Sequence, residues 1–350
     1  MESVDGDEGA VSDVAGDDDD GIRRNPPRDA RERCFLSPFE HDREQTLSLE
    51  IEQEIVQNYG RVKSVDLHPT EPWILLGLHS GAVSIWNYQT KTEEKSFTFT
   101  DYPVRSAKFI ARENWVVAAS DDKYIRIYNY DEARKIGAFK EHKDFIRSLA
   151  VHPSLPYVVS ASDDKALKLW TWKDCWAWCK TVEGHSHNVM QVAFNPKDRA
   201  TTFASASYDG TLKIWDVYSS TPKFTLYGHL QGVNYVDYFI SNDKLYLLSG
   251  SDDYTAKVWD YHSRNCVQTL EGHGKSVTAV CGHSELPIII TASLDTTVKI
   301  WDAVTYRFQT TLNFGLGRVW SIGYKEGSPQ LAFGCDKGFV IVKVNLKAAQ

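Results

Sequence analysis

The sequence predicts an all-β protein: a ring of seven four-stranded units preceded by a disordered acidic tail. Three observations carry this expectation. A motif recurs every 42 to 45 residues, short apolar segments bounded by turns lie between its copies, and the net charge is concentrated in the first 46 residues. Self-similarity at such a period marks a repeat architecture in which each unit buries its apolar face only against its neighbours.

The repeat is read from its closing dipeptide: Trp86-Asn87, Tyr128-Asn129, Trp170-Thr171, Trp215-Asp216, Trp259-Asp260 and Trp301-Asp302. A seventh strand is expected one period later, at residues 339–344. Six positions before the closing residue stands an aspartate in most units, namely Asp122, Asp164, Asp209, Asp253, Asp295 and Asp336; the first unit has Ser80 instead. Further upstream come His142, His185, His229 and His273, the last three inside Gly-His. Between these markers run apolar segments such as Tyr157-Val158-Val159 and Val189-Met190-Gln191-Val192-Ala193-Phe194, closed by turns such as Asn195-Pro196-Lys197-Asp198. Each unit therefore reads as four short strands.

Gly-His, then Ser-x-Asp, then Trp-Asp at this period resembles the WD40 repeat over residues 47–345, and implies a seven-bladed WD40 β-propeller. The last blade supplies only three strands, near 318–323, 329–334 and 339–344. Residues 47–55 are expected to add its fourth, locking the start of the ring to its end.

Of the 47 acids and 39 bases in the chain, residues 1–46 hold 14 and 6, leaving a body with 33 of each. This segment carries the run Asp17-Asp18-Asp19-Asp20 and the breaker Pro26-Pro27, and is expected to be a charged, disordered tail. Residues 346–350 are expected to form a short C-terminal tail. A neutral body has no whole-domain field for nucleic acid or anionic lipid, so nucleic acid is not an expected partner. Six scattered cysteines without a Cys-x-x-Cys pair argue against a disulfide framework and a zinc site. No run approaches the roughly 18 apolar residues of a membrane helix.

Asp, His and Ser in one chain invite a hydrolase reading. The pairing of His142 with Asp164, His185 with Asp209, His229 with Asp253 and His273 with Asp295 repeats blade after blade, whereas a catalytic set occurs once. A buried polar network that holds turns to strands explains the repetition better. No phosphate loop or metal-binding helix motif stands beside it. The chain is therefore read as a binding protein, not an enzyme, with no cofactor.

Once the repeat framework is subtracted, two sets of register positions point at the channel mouth. The residues before the framework aspartate are His79, Asp121, Asp163, Tyr208, Asp252, Leu294 and Cys335. The residues one past the first apolar position of each innermost strand are Lys63, Arg105, Arg147, Met190, Asn234, Thr278 and Trp320. With Arg61 and Arg318 two positions earlier, the bases form an arc over blades seven, one, two and three. Asp121, Asp163 and Asp252, joined by Asp144, lie beside it and toward the opposite side. A ligand with a carboxylate at one end and ammonium groups about 10 Å away matches such a bipolar face, and a C-terminal peptide with nearby lysines has that form. The alternative is that these are ordinary solvated loop charges.

Several stretches carry a closer resemblance: Arg61-Val62-Lys63-Ser64-Val65, His68-Pro69-Thr70-Glu71-Pro72-Trp73, Asp144-Phe145-Ile146-Arg147, Val233-Asn234-Tyr235 and Glu285-Leu286-Pro287. In these the chain resembles the first propeller of the coatomer beta-prime subunit family. The resemblance implies a cytosolic COPI coat protein that recognises C-terminal dilysine signals of membrane cargo for Golgi-to-endoplasmic-reticulum and intra-Golgi transport. It implies the other coatomer subunits, alpha and epsilon among them, as partners, and membrane association only through the coat. It assigns the peptide carboxylate to Arg61, Lys63 and Arg105 and the lysines to Asp144, Asp163 and Asp252; the register positions add His79, Asp121, Arg147 and Arg318 as further candidates. His79 stands where the family often has Tyr. The family chain continues into a second propeller and a helical solenoid, so this sequence is expected to be a fragment, a short isoform or a mispredicted product. The other expectation is a generic WD40 scaffold that docks different partners and has no coat role.

Overall fold

Period-2 strands of β-branched and aromatic residues, none longer than ten residues, cannot bury both faces alone and must stack on neighbours. The computed structural model describes residues 49–346 except 174, 198 and 199; the tail expected over residues 1–46 lies outside them, as do residues 347–350. Among the described residues, seven antiparallel four-stranded sheets form. Their innermost strands are Val62–Leu67, Val104–Ile110, Ile146–Val151, Val189–Phe194, Val233–Ser241, Val277–Gly282 and Val319–Tyr324. Each packs on the next, and the last packs on the first, which closes a seven-bladed propeller.

The closing joint is the expected one with shifted bounds. β1, Leu49–Asn58, pairs antiparallel with the last strand, β2, Gly338–Leu346, to make the fourth strand of blade seven. The pairing runs three residues beyond the 47–55 segment read from the sequence, to Asn58, and the last strand continues through Leu346. Tyr59 N–H then donates to Lys337 O at 3.0 Å, extending the ladder to the edge of the channel mouth.

Between blades, seven clusters of buried apolar residues fill the wedge-shaped gaps, as where Trp215 packs with Val159, Leu169 and Val192. Hydroxyls on the inner strands tie one blade to the next: Ser64 Oγ accepts from Ala107 N at 3.0 Å and Ser106 Oγ from Leu149 N at 3.0 Å.

The repeated polar residues form four complete ladders. In blade four, His185 Nδ1–H donates to Asp209 Oδ2 at 2.7 Å, Ser205 Oγ–H donates to His185 Nε2 at 2.7 Å, and Trp215 Nε1–H donates to Ser205 Oγ at 2.8 Å. The same chain links His142, His229 and His273 to Asp164, Asp253 and Asp295, with Thr291 replacing the serine in blade six. In blades four to six this arrangement suits a neutral imidazole, with Nε2 as the acceptor. Burial keeps His185, His229 and His273 less basic than usual. Burial would raise the Asp164 carboxyl, but the hydrogen bond from His142 overcomes it and holds it near 2. Blade two has no such histidine; Arg126 pairs with Asp122 instead, Nη1 lying 3.0 Å from Oδ1.

Two predictions follow from these contacts. Gly338 has φ +148°, and a Cβ there would lie 1.8 Å from Gln57 O, inside the closing ladder. Gly338→Ala should destabilise the propeller by about 2 kcal/mol or more in urea unfolding, through strain or loss of pairing in β1. The second concerns pH. Below about 6.5 the unfolded chain takes up protons that the buried imidazoles refuse, and below about 4 it takes up protons that the laddered carboxylates refuse. Stability should therefore fall across both windows as pH is lowered. A melting temperature unchanged between pH 7 and pH 3 would contradict the ladders.

Candidate functional site

In every innermost strand the ladder slips at the second residue: between Val62 and Ser64, Val104 and Ser106, Ile146 and Ser148, and equivalently in the other four blades. The residue left over is in each case the one singled out from the sequence, from Lys63 in blade one to Trp320 in blade seven. A bulge leaves one residue out of the ladder and re-aims its side chain. Here all seven bulge residues, Lys63, Arg105, Arg147, Met190, Asn234, Thr278 and Trp320, line one cavity of about 220 Å³ at a mouth of the channel. Tyr208, Asp252 and Leu294, from the turns of blades four to six, complete its wall.

The charges on this face are more closely paired than the bipolar picture expects. Arg105 grips Asp121 with two hydrogen bonds, Nε to Oδ1 at 2.6 Å and Nη2 to Oδ2 at 2.7 Å. Arg147 holds Asp163 in the same way, Nε to Oδ1 at 2.8 Å, with a second bond from Nη2 to Oδ2. The bulge residue and the residue before the framework aspartate are cross-strand neighbours, so opposite charges at the two positions meet. Asp121 and Asp163 are thus nearly enclosed, their side chains 7% and 6% exposed, while their arginines stay about a fifth to a quarter open. A carboxylate has about four lone-pair sites and a guanidinium five donors, so the pairing leaves part of each partner's capacity unused, and both arginines line the cavity. In blade five Asp252 Oδ1 accepts from Asn234 Nδ2 at 2.7 Å.

Asp336 is the largest departure from the sequence reading, which places it with the framework aspartates. No histidine stands 22 or 24 residues upstream of it; Phe314 and Leu312 occupy those positions. Blade two lacks the histidine too, but there Arg126 holds the aspartate; a missing histidine together with Val340 at the matching position is the signal that could have identified Asp336. Free of a ladder, Asp336 turns to the channel mouth. Its Oδ2 accepts from Arg318 Nε at 2.8 Å and its Oδ1 from Trp320 Nε1 at 2.9 Å, while Arg61 Nε lies 3.0 Å from Oδ1 in ion-pair contact. Burial pushes the Asp336 carboxyl up, but the bonds from Arg318 and Trp320 prevail and hold it at about 2. The Trp320 ring, fixed by this bond, carries the Lys63 ammonium 3.0 Å from its centroid.

Lys63 is consequently an unusual lysine. Burial first, then the neighbouring Arg105 and Arg61, lower its ammonium to about 7. His79 lies across from it, its N–H bonded to Arg61 O at 2.9 Å, and burial together with Arg61 and Lys63 makes its imidazole a weaker base. Lys63, Arg105, Arg147 and Asp252 line the cavity itself; Arg61, Arg318 and Asp336 back it from blade seven and its junction with blade one. Asp144 is half-buried in the loop before blade three, its Oδ1 accepting from Phe145 N at 2.9 Å, next to the Asp163 turn, where Asp163 N donates to Phe145 O. Among the described residues no cluster of His, Cys, Asp or Glu is placed to hold a metal ion, and no helix is long and apolar enough to cross a membrane.

Comparison with known proteins agrees with this architecture. The family model for the WD domain, G-beta repeat, matches residues 93–129, 133–171, 176–216, 220–260 and 264–302. The chain is 58% identical over 298 residues to coatomer subunit beta' of Rattus norvegicus, covering 85% of this chain and 33% of that protein. It is 62% identical to coatomer subunit beta'-2 of Oryza sativa subsp. japonica and 59% to coatomer subunit beta' of Drosophila melanogaster, over the same 85% of this chain and 33% and 32% of theirs. The chain thus spans about a third of the length of the curated relatives it matches, and over that span it is homologous to coatomer beta' subunits. Repeat, register and closure together place it: the chain belongs to the WD40 family, the WD domain, G-beta repeat proteins.

Proposed function

We propose that this channel mouth binds the C-terminus of an extended peptide bearing lysines close to its free carboxylate. What supports the reading is that Lys63 and Arg105, on blades one and two, and Asp252, on blade five, line one cavity, with Arg61 ion-paired to Asp336 beside it and Asp144 and Asp163 in neighbouring turns of blade three. A terminal carboxylate takes charge-assisted bonds from the first group, and ammonium groups about 10 Å up the chain meet the second. Asp121, Arg147 and Arg318 act as counter-charges that fix their neighbours, and His79 borders the carboxylate end.

The relatives are named coatomer beta' subunits, which supports a vesicle coat as the setting; in our reading the protein is there a non-enzymatic part that selects dilysine-type cargo for retrograde and intra-Golgi transport, with the other coatomer subunits as partners. In that setting the protein works in the cytoplasm and lies peripherally on Golgi membranes and coated vesicles. A few partly exposed ion pairs contribute little each, which suits cargo that must be released.

Three measurements test this. A labelled peptide ending in Lys-Lys-x-x should bind with a Kd on the order of 1–10 μM, weaken with salt, and lose measurable binding when amidated or when Arg61 and Asp163 are both changed to Ala. No binding by folded wild-type protein would leave a generic WD40 scaffold. Asp336→Asn should weaken the free-acid peptide about three- to tenfold, since it disturbs the carboxylate cradle, while the amidated peptide still shows no measurable binding. Finally, a bound carboxylate draws a proton onto Lys63. Affinity should be nearly constant below about pH 6 and fall above about pH 7.5, by at most about tenfold per unit; a Lys63→Arg variant should flatten that profile.

A further inference from the structure

We propose that an apolar shelf formed by Tyr208, Leu230 and Tyr254 beside Asp252 receives an apolar side chain of the bound peptide, on the N-terminal side of its lysines. The inference rests on the dilysine reading and adds a second specificity element to it.

Register shows that the shelf is a local departure from the repeat. The position after the ladder histidine carries Lys143 in blade three, Ser186 in blade four and Gly274 in blade six, but Leu230 in blade five. The turn position after the framework aspartate carries Lys123, Lys165, Gly210 and Thr296 in blades two, three, four and six, but Tyr254 in blade five. All five adopt the same positive φ, from 69° to 81°, so the backbone is shared and only the side chain differs. The position before the framework aspartate is His79 in blade one, acidic in blades two, three and five, and Leu294 and Cys335 in blades six and seven; only blade four carries an aromatic there, Tyr208. Two aromatic side chains and a leucine thus stand at these register positions in adjoining blades four and five.

They flank one short stretch of the rim, residues 230–232 and 252–254, and are open. Leu230 N–H donates to Asp253 Oδ2 at 3.0 Å, which sets Leu230 against the turn that carries Tyr254. Asp252 N donates to Gly232 O at 2.9 Å, and the Tyr208 ring lies so close over Gly232 that a Cβ there would approach Cδ1 to 2.6 Å. Leu230 is 90% exposed, Tyr254 50% and Tyr208 37%. Isolated exposed apolar residues are ordinary, whereas a group of them beside a cavity that Tyr208 itself lines marks an interaction surface.

The polarity of the charged face selects the occupant. With the carboxylate held over blades one and two and the lysines by acids of blades three and five, the upstream chain leaves the mouth over blades four and five. An apolar residue there covers the shelf as it covers itself.

The test uses fluorescence anisotropy with two peptides that share the Lys-Lys-x-x end and differ only in Phe or Ser two positions before the first lysine. Wild-type protein should bind the Phe peptide about five- to tenfold more tightly. A Leu230→Ser, Tyr254→Asn variant should bind both peptides as wild type binds the Ser peptide; its exposed sites leave the melting temperature unchanged. Equal affinities in the wild type, or a preference that survives in the variant, would overturn the shelf while leaving the dilysine reading intact. Failure of the wild type to bind either peptide would overturn both.

Discussion

The pairing of Leu49–Asn58 with Gly338–Leu346 is the interaction on which the rest depends. A propeller blade cannot stand alone, and an open ring would leave blade seven with three strands and an unpaired edge. The joint also builds the site. Arg61 follows β1 by three residues and Asp336 precedes β2 by two, so the ladder that closes the ring brings that ion pair to 3.0 Å. From Asp336 the order passes to Trp320, and from Trp320 to Lys63. The two ends of the described chain thus meet at the cation cradle.

Rigid framework and variable face occupy alternate roles within each blade. The His–Asp–Ser–Trp ladders sit inside, with histidine side chains no more than 1% exposed, and are fully bonded, which is the condition under which a buried polar network stabilises rather than costs. The bulge two residues into each innermost strand releases one side chain per blade into the channel. Seven near-identical backbones can therefore present seven unrelated side chains without altering the ring.

Paired charge is the second feature of that face. Bidentate pairs between Arg105 and Asp121, and between Arg147 and Asp163, hold side chains that would otherwise lose several rotatable bonds' worth of entropy on meeting a ligand. The cost of ordering is met in folding, and the ligand needs only the donors and acceptors left over. Lys63 is the exception, crowded by arginines and supported by a ring face instead of a carboxylate.

The sequence by itself determined the number of blades, the His–Asp pairing, the closing strand to within three residues, and the seven innermost-strand positions that prove to be bulges, because a repeat copies its register. Tertiary structure decided what periodicity cannot encode. Serine and tryptophan complete the ladders, Arg126 stands in for a missing histidine, and Asp336 leaves the framework for the binding face. It also decided that acids and bases at neighbouring register positions would pair across strands instead of dividing the mouth into two halves. These outcomes depend on which side chains meet in space, from turns 16 to 18 residues apart within a blade or from opposite ends of the chain at the joint. Spacing along one strand carries no information about such contacts until the sheets have formed and the ring has closed.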